Sequence, residues 1–194
     1  MTNITYGLIV EGPYDKAMYE ALIPRICERN VCFKTRSCGG VGRLMKSFHG
    51  LLRDLEHVVR GGPVDKALVI RDSDGKEPLA IRTRMEGKID ERGYAFPRGV
   101  KLCVVRREME TWLLADAQAI NIVAQNRGGR QIQEVQETLE EIHDPKAKLR
   151  SVLSEAKLPY TEPVCAEIAS HLRIDHLEYR CPSFRTFRQD VLDC

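Results

Sequence analysis

Four short strand-patterned segments alternate with helix-patterned segments through the first 118 residues, and that alternation is the strongest constraint on the fold. "ITYGLIV" (4–10), "KALVIR" (66–71) and "VKLCVVR" (100–106) are near-continuous runs of β-branched and apolar residues, whereas "NVCFKTRS" (30–37) alternates like a half-exposed strand. Between them, "DKAMYEALIPRICERN" begins at Asp15, a good helix N-cap, and "GRLMKSFHGLLRDLEHVVR" spaces Leu44, Phe48, Leu51, Leu52, Leu55, Val58 and Val59 as a helix does. "EPLAIRTRMEGKIDERG" reads as a polar helix closed by Gly93, and "EMETWLLADAQAI" as a helix starting directly after the last strand. Strands that are apolar on both faces need cover on both faces. The predicted fold is therefore α/β, with a mainly parallel central sheet flanked by helices.

Beyond about residue 119 the strand signal stops. "RQIQEVQETLEEIHDPKAKLRSVLSEAKLPYTEPVCAEIASHLRIDHLEYRCPSFRTFRQDVLDC" reads as helices broken at Asp144–Pro145, between Pro159 and Pro163, and at Cys181–Pro182. None carries enough apolar surface to stand alone. A single domain over 1–194 is expected, with an α/β core over 1–118 and a helical C-terminal extension over 119–194 capping it. The balance of 43% hydrophobic and 30% charged residues suits such a domain. No stretch approaches the roughly 18 uninterrupted apolar residues of a membrane span, and the N-terminus lacks the order of a signal peptide. The expected location is cytoplasmic, with no membrane partner. Seven cysteines without a C-x-x-C pair fit reduced thiols. A net charge of +2 leaves any polyanion partner to local patches.

Carboxylates follow three of the strands. Glu11 and Asp15 follow the first, Asp72 and Asp74 the third, and Glu108 and Glu110 the fourth, in the first turn of the next helix. The C-terminal ends of parallel strands share one edge, where open α/β folds bind ligands. Three acid pairs thus converge on one rim. Clustered carboxylates repel unless a cation lies between them, and all-oxygen donors suit Mg²⁺ or Mn²⁺. Each acid also has an ordinary reading: Glu11 as a strand end before Gly12–Pro13, Asp15 as a cap, Asp72 and Asp74 as turn residues before Gly75, and one of Glu108 and Glu110 as an acid on the helix dipole. Met109 and Trp112 are expected in the core.

"IVEGPYD" and "VIRDSDG", a Glu after the first strand and D-x-D after the third, resemble the TOPRIM domain of topoisomerases, primases and small nucleases. "EGPYD" and "REMETWLLAD" are similar to the TOPRIM part of the OLD (overcoming lysogenization defect) nucleases and to small stand-alone TOPRIM-like proteins, as are "DPKAKL" and "CPSFRTF". The resemblance is close over 4–118 and loose beyond. It implies metal-dependent phosphodiester hydrolysis, with Glu11 catalytic, Asp72 and Asp74 as metal ligands, and Asp15 with Glu108 or Glu110 completing a second metal site; Glu110 is the expected ligand. It also implies that Lys146 stabilises developing charge. OLD nucleases carry an ATPase, yet there is no G-x-x-x-x-G-K-[ST] here, so a separate ATPase encoded nearby and a role in antiphage defence are implied.

The expected function is a Mg²⁺- or Mn²⁺-dependent nuclease acting on DNA or RNA. Candidate contacts to nucleic acid are Arg43 and Lys46 beside the glycine turn "CGGVGR", and Arg71, Arg106 and Arg107 at strand ends. The oligomeric state is open. Two alternatives remain: a non-catalytic subunit that binds nucleic acid or regulates an ATPase, and a small-substrate phosphohydrolase using Asp72 as nucleophile. The second is weaker, because haloacid-dehalogenase-type enzymes carry their D-x-D after the first strand. Cys165, His171, His176 and Cys181 make a poor zinc set, since the five-residue step between the histidines separates their faces on one helix.

Overall fold

The computed structural model describes residues 4–57, 63–89 and 91–193. β1 (Ile4–Val10), α1 (Pro13–Cys27), β2 (Val31–Ser37), α2 (Val41–Glu56), β3 (Lys66–Asp72), α3 (Pro78–Glu86) and β4 (Val100–Val105) follow in alternation. The strands form one all-parallel sheet in the order β2-β1-β3-β4. The α/β architecture expected from the sequence is the one observed. Val58 and Val59, assigned to the second helix from their spacing, lie outside the described residues.

The strand order reverses once. The chain steps from β1 outward to β2, then crosses back over β1 to β3 and continues to β4. Right-handed crossovers therefore put α1 on one face and α2 and α3 on the other. Two apolar clusters result, and period-two alternation divides each strand between them. Tyr6, Leu8, Val10, Leu68 and Ile70 meet Met18, Leu22 and Ile23 of α1. Ile9, Ala67, Val69 and Leu102 meet Leu44, Phe48 and Leu52 of α2 and Ile81 and Met85 of α3. Gly7, which points toward α2, has no room for a side chain: a Cβ there would lie 2.9 Å from Leu55 Cδ1 and 3.0 Å from Val64 Cγ1.

The remaining chain forms α4 (Glu110–Leu113), α5 (Ala117–Asn126), α6 (Pro145–Glu155), α7 (Glu162–His171), α8 (Ile174–Arg180) and α9 (Phe184–Leu192). α7 lies along α1, α5 against α7, and α9 against α1 and β4, so the extension thickens the α1 face and joins its core. Trp112 and Met109 are buried there as expected, with Trp112 held edge-on by Tyr19 and Phe184. Cys27, Cys32, Cys38, Cys103, Cys165 and Cys181 are free thiols. Among the described residues no helix is long and apolar enough to cross a membrane.

Several element boundaries depart from the sequence pattern. The helix expected to run to Gly93 stops at Glu86, where Gly87 closes the last turn by donating to Thr83 and Met85 carbonyls. Ile89, Tyr94 and Phe96 then pack on the α2–α3 cluster, and their burial outweighs continuation of a polar helix. The helix expected over "EMETWLLADAQAI" splits because Asp116 caps a new one, accepting from Gln118 and Ala119 N–H at 3.1 and 3.3 Å. Residues 130–138, expected as helix, are irregular and followed by a short 3₁₀ turn, Leu139–Glu141. Their backbone is satisfied from elsewhere: the Asn121 amide pairs with both N–H and C=O of Ile132, Arg130 N–H donates to Ala156 O, and Arg180 donates to Val135 O. A further break separates His171 from Ile174, so His171 and His176 lie on different helices.

Candidate active site

The reversal of strand order opens a crevice at the carboxyl ends of β1 and β3. Glu11 and Asp72 face each other across it: Glu11 Oε1 accepts the Asp72 N–H at 3.1 Å. Asp15 is not the cap of α1. Gly12 occupies that position with extended backbone, and Asp15, three residues on, accepts the Gly12 N–H through Oδ2 at 2.7 Å. Asp72 Oδ2 accepts Met109 N–H at 3.4 Å. Each of these three acids is thus anchored through one oxygen, leaving the second outside those bonds.

Glu110 opens α4 and is 4% exposed; its Oε1 accepts the Tyr160 hydroxyl at 2.5 Å and stands 3.9 Å from Lys146 Nζ. Glu108, just before α4, buries Oε2 with no hydrogen-bond partner. All six predicted acids, Asp74 included, and Lys146 line one cleft of about 330 Å³, together with Tyr14 and the Gly39–Gly40 turn.

Negative charge is under-compensated here. Burial, aided by the charges of Asp15 and Asp74, pushes Glu11 up to about 7 against the pull of the Asp72 N–H and Arg71. Burial and the Glu110 charge push Asp15 up to about 6 against the Gly12 N–H and Lys146. Asp72 is raised by burial and then by Asp15, Glu11 and Glu110. Glu108 is raised by burial and by Glu110. Such mutual repulsion is what a cation relieves.

The donor set fits a hard divalent cation: six carboxylates, all oxygen donors, one with an orphaned buried oxygen. Among the described residues no three His, Cys, Asp or Glu side chains converge closely enough to hold a metal as they stand, so ligation requires carboxylates to turn toward a common centre. Glu108 carries the orphaned buried oxygen, while Glu110, like Glu11, Asp15 and Asp72, has one oxygen engaged and the other outside that bond.

The predicted basic contacts fall in different places. Arg71 is 7% exposed, donates to Asp72 O at 3.0 Å and stands 3.9 Å from Asp74 Oδ2; its charge offsets part of that of Glu11 and Asp74. Arg43 and Lys46 are exposed on the first turns of α2, and the Arg43 guanidinium lies against Gly39 at the cleft edge. Arg106 and Arg107 lie on the far side of the 72–77 loop. Of the rejected zinc set, His176 pairs with Glu134 at 2.8 Å. Two site residues escaped the sequence reading. Tyr160, from the α6–α7 connection, holds Glu110, and Tyr14 stacks on Tyr160 with centroids 4.9 Å apart. Tyr14 lay inside "EGPYD"; nothing in the spacing marks Tyr160.

A family model described as "Domain of unknown function (DUF4276)" matches residues 10–192, and the chain belongs to that family. No curated protein and no solved structure matches it.

Proposed function

We propose that the chain is a divalent-metal-dependent nuclease of the TOPRIM kind, most similar in its motifs to the OLD nucleases. The observation that carries this is the meeting of six carboxylates from three separate strand ends in one cleft at the reversal of the sheet, with Glu11, Asp15, Asp72 and Glu108 all driven toward their protonated forms by burial and by one another. Turn or capping chemistry has no need of that concentration of charge. Glu11, Asp15, Asp72, Asp74 and Glu108 would hold Mg²⁺ or Mn²⁺. The metal would supply an activated water and neutralise charge on the phosphate. The rise of Glu11 to about 7 by burial and neighbouring acids marks a site that a bound cation would relieve, returning the carboxylate to its charged form. Lys146, whose side chain is 45% exposed at the cleft edge, is placed to meet a phosphate oxygen. Tyr160 holds Glu110 through its hydroxyl. A separate ATPase partner, a cytoplasmic location and a role in antiphage defence belong to the same proposal and rest on the motif resemblance.

One observation favours the rival reading of a non-catalytic, regulatory acid site: no three acid side chains already converge on one point among the described residues. Cleavage decides between them. Labelled single-stranded and duplex DNA and RNA are incubated with Mg²⁺ or Mn²⁺, with and without any ATPase encoded beside the chain's gene. At least one substrate is cut by the wild type, and the cutting vanishes with chelator and in Asp72→Asn. If no substrate is cut, or Asp72→Asn cuts as well as wild type, the nuclease proposal fails.

A further inference from the structure

We propose that a second, basic subsite beside the acidic cleft, formed by Arg107, Arg106 and Lys76 over the Ser73–Gly75 turn, binds a phosphate group. Its identification as the substrate phosphate next to the one cut rests on the nuclease reading; the phosphate chemistry itself does not.

The loop after β3 divides the rim. Asp72 and Asp74 line the acidic cleft, while Ser73, Gly75 and Lys76 line a smaller concavity of about 140 Å³ on the other side, closed by Arg106 and Arg107. The floor of that concavity is laced together. Ser73 N–H donates to Val105 O at 2.9 Å, Asp74 N–H to Arg107 O at 3.1 Å, Arg107 N–H to Ser73 Oγ at 2.8 Å and Lys76 N–H to Ser73 O at 2.9 Å. These bonds hold Arg107 at φ +66, a conformation few residues without glycine's freedom adopt, and one that persists where surrounding bonds over-determine it.

The guanidinium is oriented as well. Arg107 Nε donates to Glu140 O at 3.3 Å, which turns the remaining fork toward the turn. A Cβ at residue 75 would lie 2.8 Å from Arg107 Nη1, so Gly75, at φ +76, is what lets the guanidinium sit there. Arg106 is 54% exposed and its contact with Glu140 Oε2 is a loose 3.8 Å; Glu140 Oε1 is already taken by Ser183 N–H at 2.9 Å. Lys76 is exposed. Of the acids, Glu77, which caps α3 by accepting Leu79 N–H, lines this concavity, and the Glu140 carboxylate stands beside Arg106. Three cations outnumber them.

A guanidinium fixed in orientation before the ligand arrives matches the paired oxygens of a phosphate and loses little entropy in doing so. The position also answers a physical need. A polyanion held against six carboxylates requires positive charge on the same rim.

The test uses the full chain in chelator, so that metal and cleavage play no part. Probes are a fluorescent single-stranded oligonucleotide at several salt concentrations, and inorganic phosphate followed by calorimetry. Arg107→Ala is expected to weaken oligonucleotide binding about tenfold and to flatten the log–log salt dependence by about 0.7. Arg106→Ala should flatten it likewise, Arg107→Lys should keep the slope while losing affinity, and the remote Arg185→Ala should alter neither; melting temperatures confirm that each variant folds. Phosphate binding lost in Arg107→Ala, without oligonucleotide binding, would keep the subsite, assign it to a small phosphate ester and count against the nuclease reading. Equal affinity and slope in wild type, Arg106→Ala and Arg107→Ala overturn the subsite, even if cleavage is found.

Discussion

Glu11 and Asp15 are held above the ordinary carboxylate range by burial and by neighbouring acids, and this has a measurable cost. Their pKa values are higher folded than unfolded, so the stability they contribute is complete below roughly pH 4 and is lost as pH rises through about 6 and about 7. Without added metal, the melting temperature should fall between pH 5 and pH 8, and Mn²⁺ should restore more of it at pH 8 than at pH 5. Asp116 and Glu178, whose pKa values are lowered, act below that window. Scanning calorimetry at several pH values checks this; a flat profile contradicts it. The pair before and in α4 gives a second prediction. With its buried, unpartnered oxygen, Glu108 should matter to metal, so Glu108→Gln should lose on the order of 100-fold in Mn²⁺ affinity and Glu110→Gln clearly less; metal titration of both variants decides, and the reverse order would make Glu110 the ligand. The six acids were legible because strand ends announce themselves in the sequence. Tyr160 was not, because it meets Glu110 across 50 residues and lies in a connection without a motif. Arg71 was legible as a strand-end cation, but its burial was not.

Among the elements, α2 emerged from the periodicity of its one buried face, and the three apolar strands from continuous apolar runs covered on both faces. Periodicity failed where side chains rather than neighbours in sequence set the boundary. Gly87 ends α3, Asp116 starts α5, and Asn121 and Arg180 hold residues 130–138 in an irregular path that a helix pattern cannot reveal. Asp116 is the sharpest of these. Fully buried, it caps α5 through Oδ1 and takes Arg173 N–H and Nε through Oδ2, with Arg173 Nη2 on Oδ1 at 2.8 Å. It therefore ties the start of α5 to the turn between α7 and α8. Asp116→Ala should cost about 3 kcal/mol, from a lost cap and the lost charge-assisted hydrogen bonds of the half-exposed Arg173. That corresponds to a drop in melting temperature of about 6–12 °C for a domain of this size. Thermal denaturation tests it; a change within about 2 °C would mean that the cap and the pair contribute little.

Over the whole molecule, the feature that assembles the acidic cleft is topological. Alternation of strands and helices was readable from sequence, whereas the order β2-β1-β3-β4 was not, since strand order depends on which way each crossover turns. That one reversal brings Glu11 and Asp72 together although 61 positions separate them. The extension, expected as a cover, also delivers Lys146 and Tyr160 to the cleft, so core and extension build the site jointly. The central claim is that this cleft binds a divalent cation. Isothermal titration of Mn²⁺ into the wild type and Asp72→Asn at pH 7.5, where deprotonation leaves the acids most repulsive, tests it directly. Saturable binding in the wild type, lost or weakened at least about tenfold in Asp72→Asn, is the predicted result; no heat of binding at millimolar Mn²⁺, or identical isotherms for the two proteins, would contradict it.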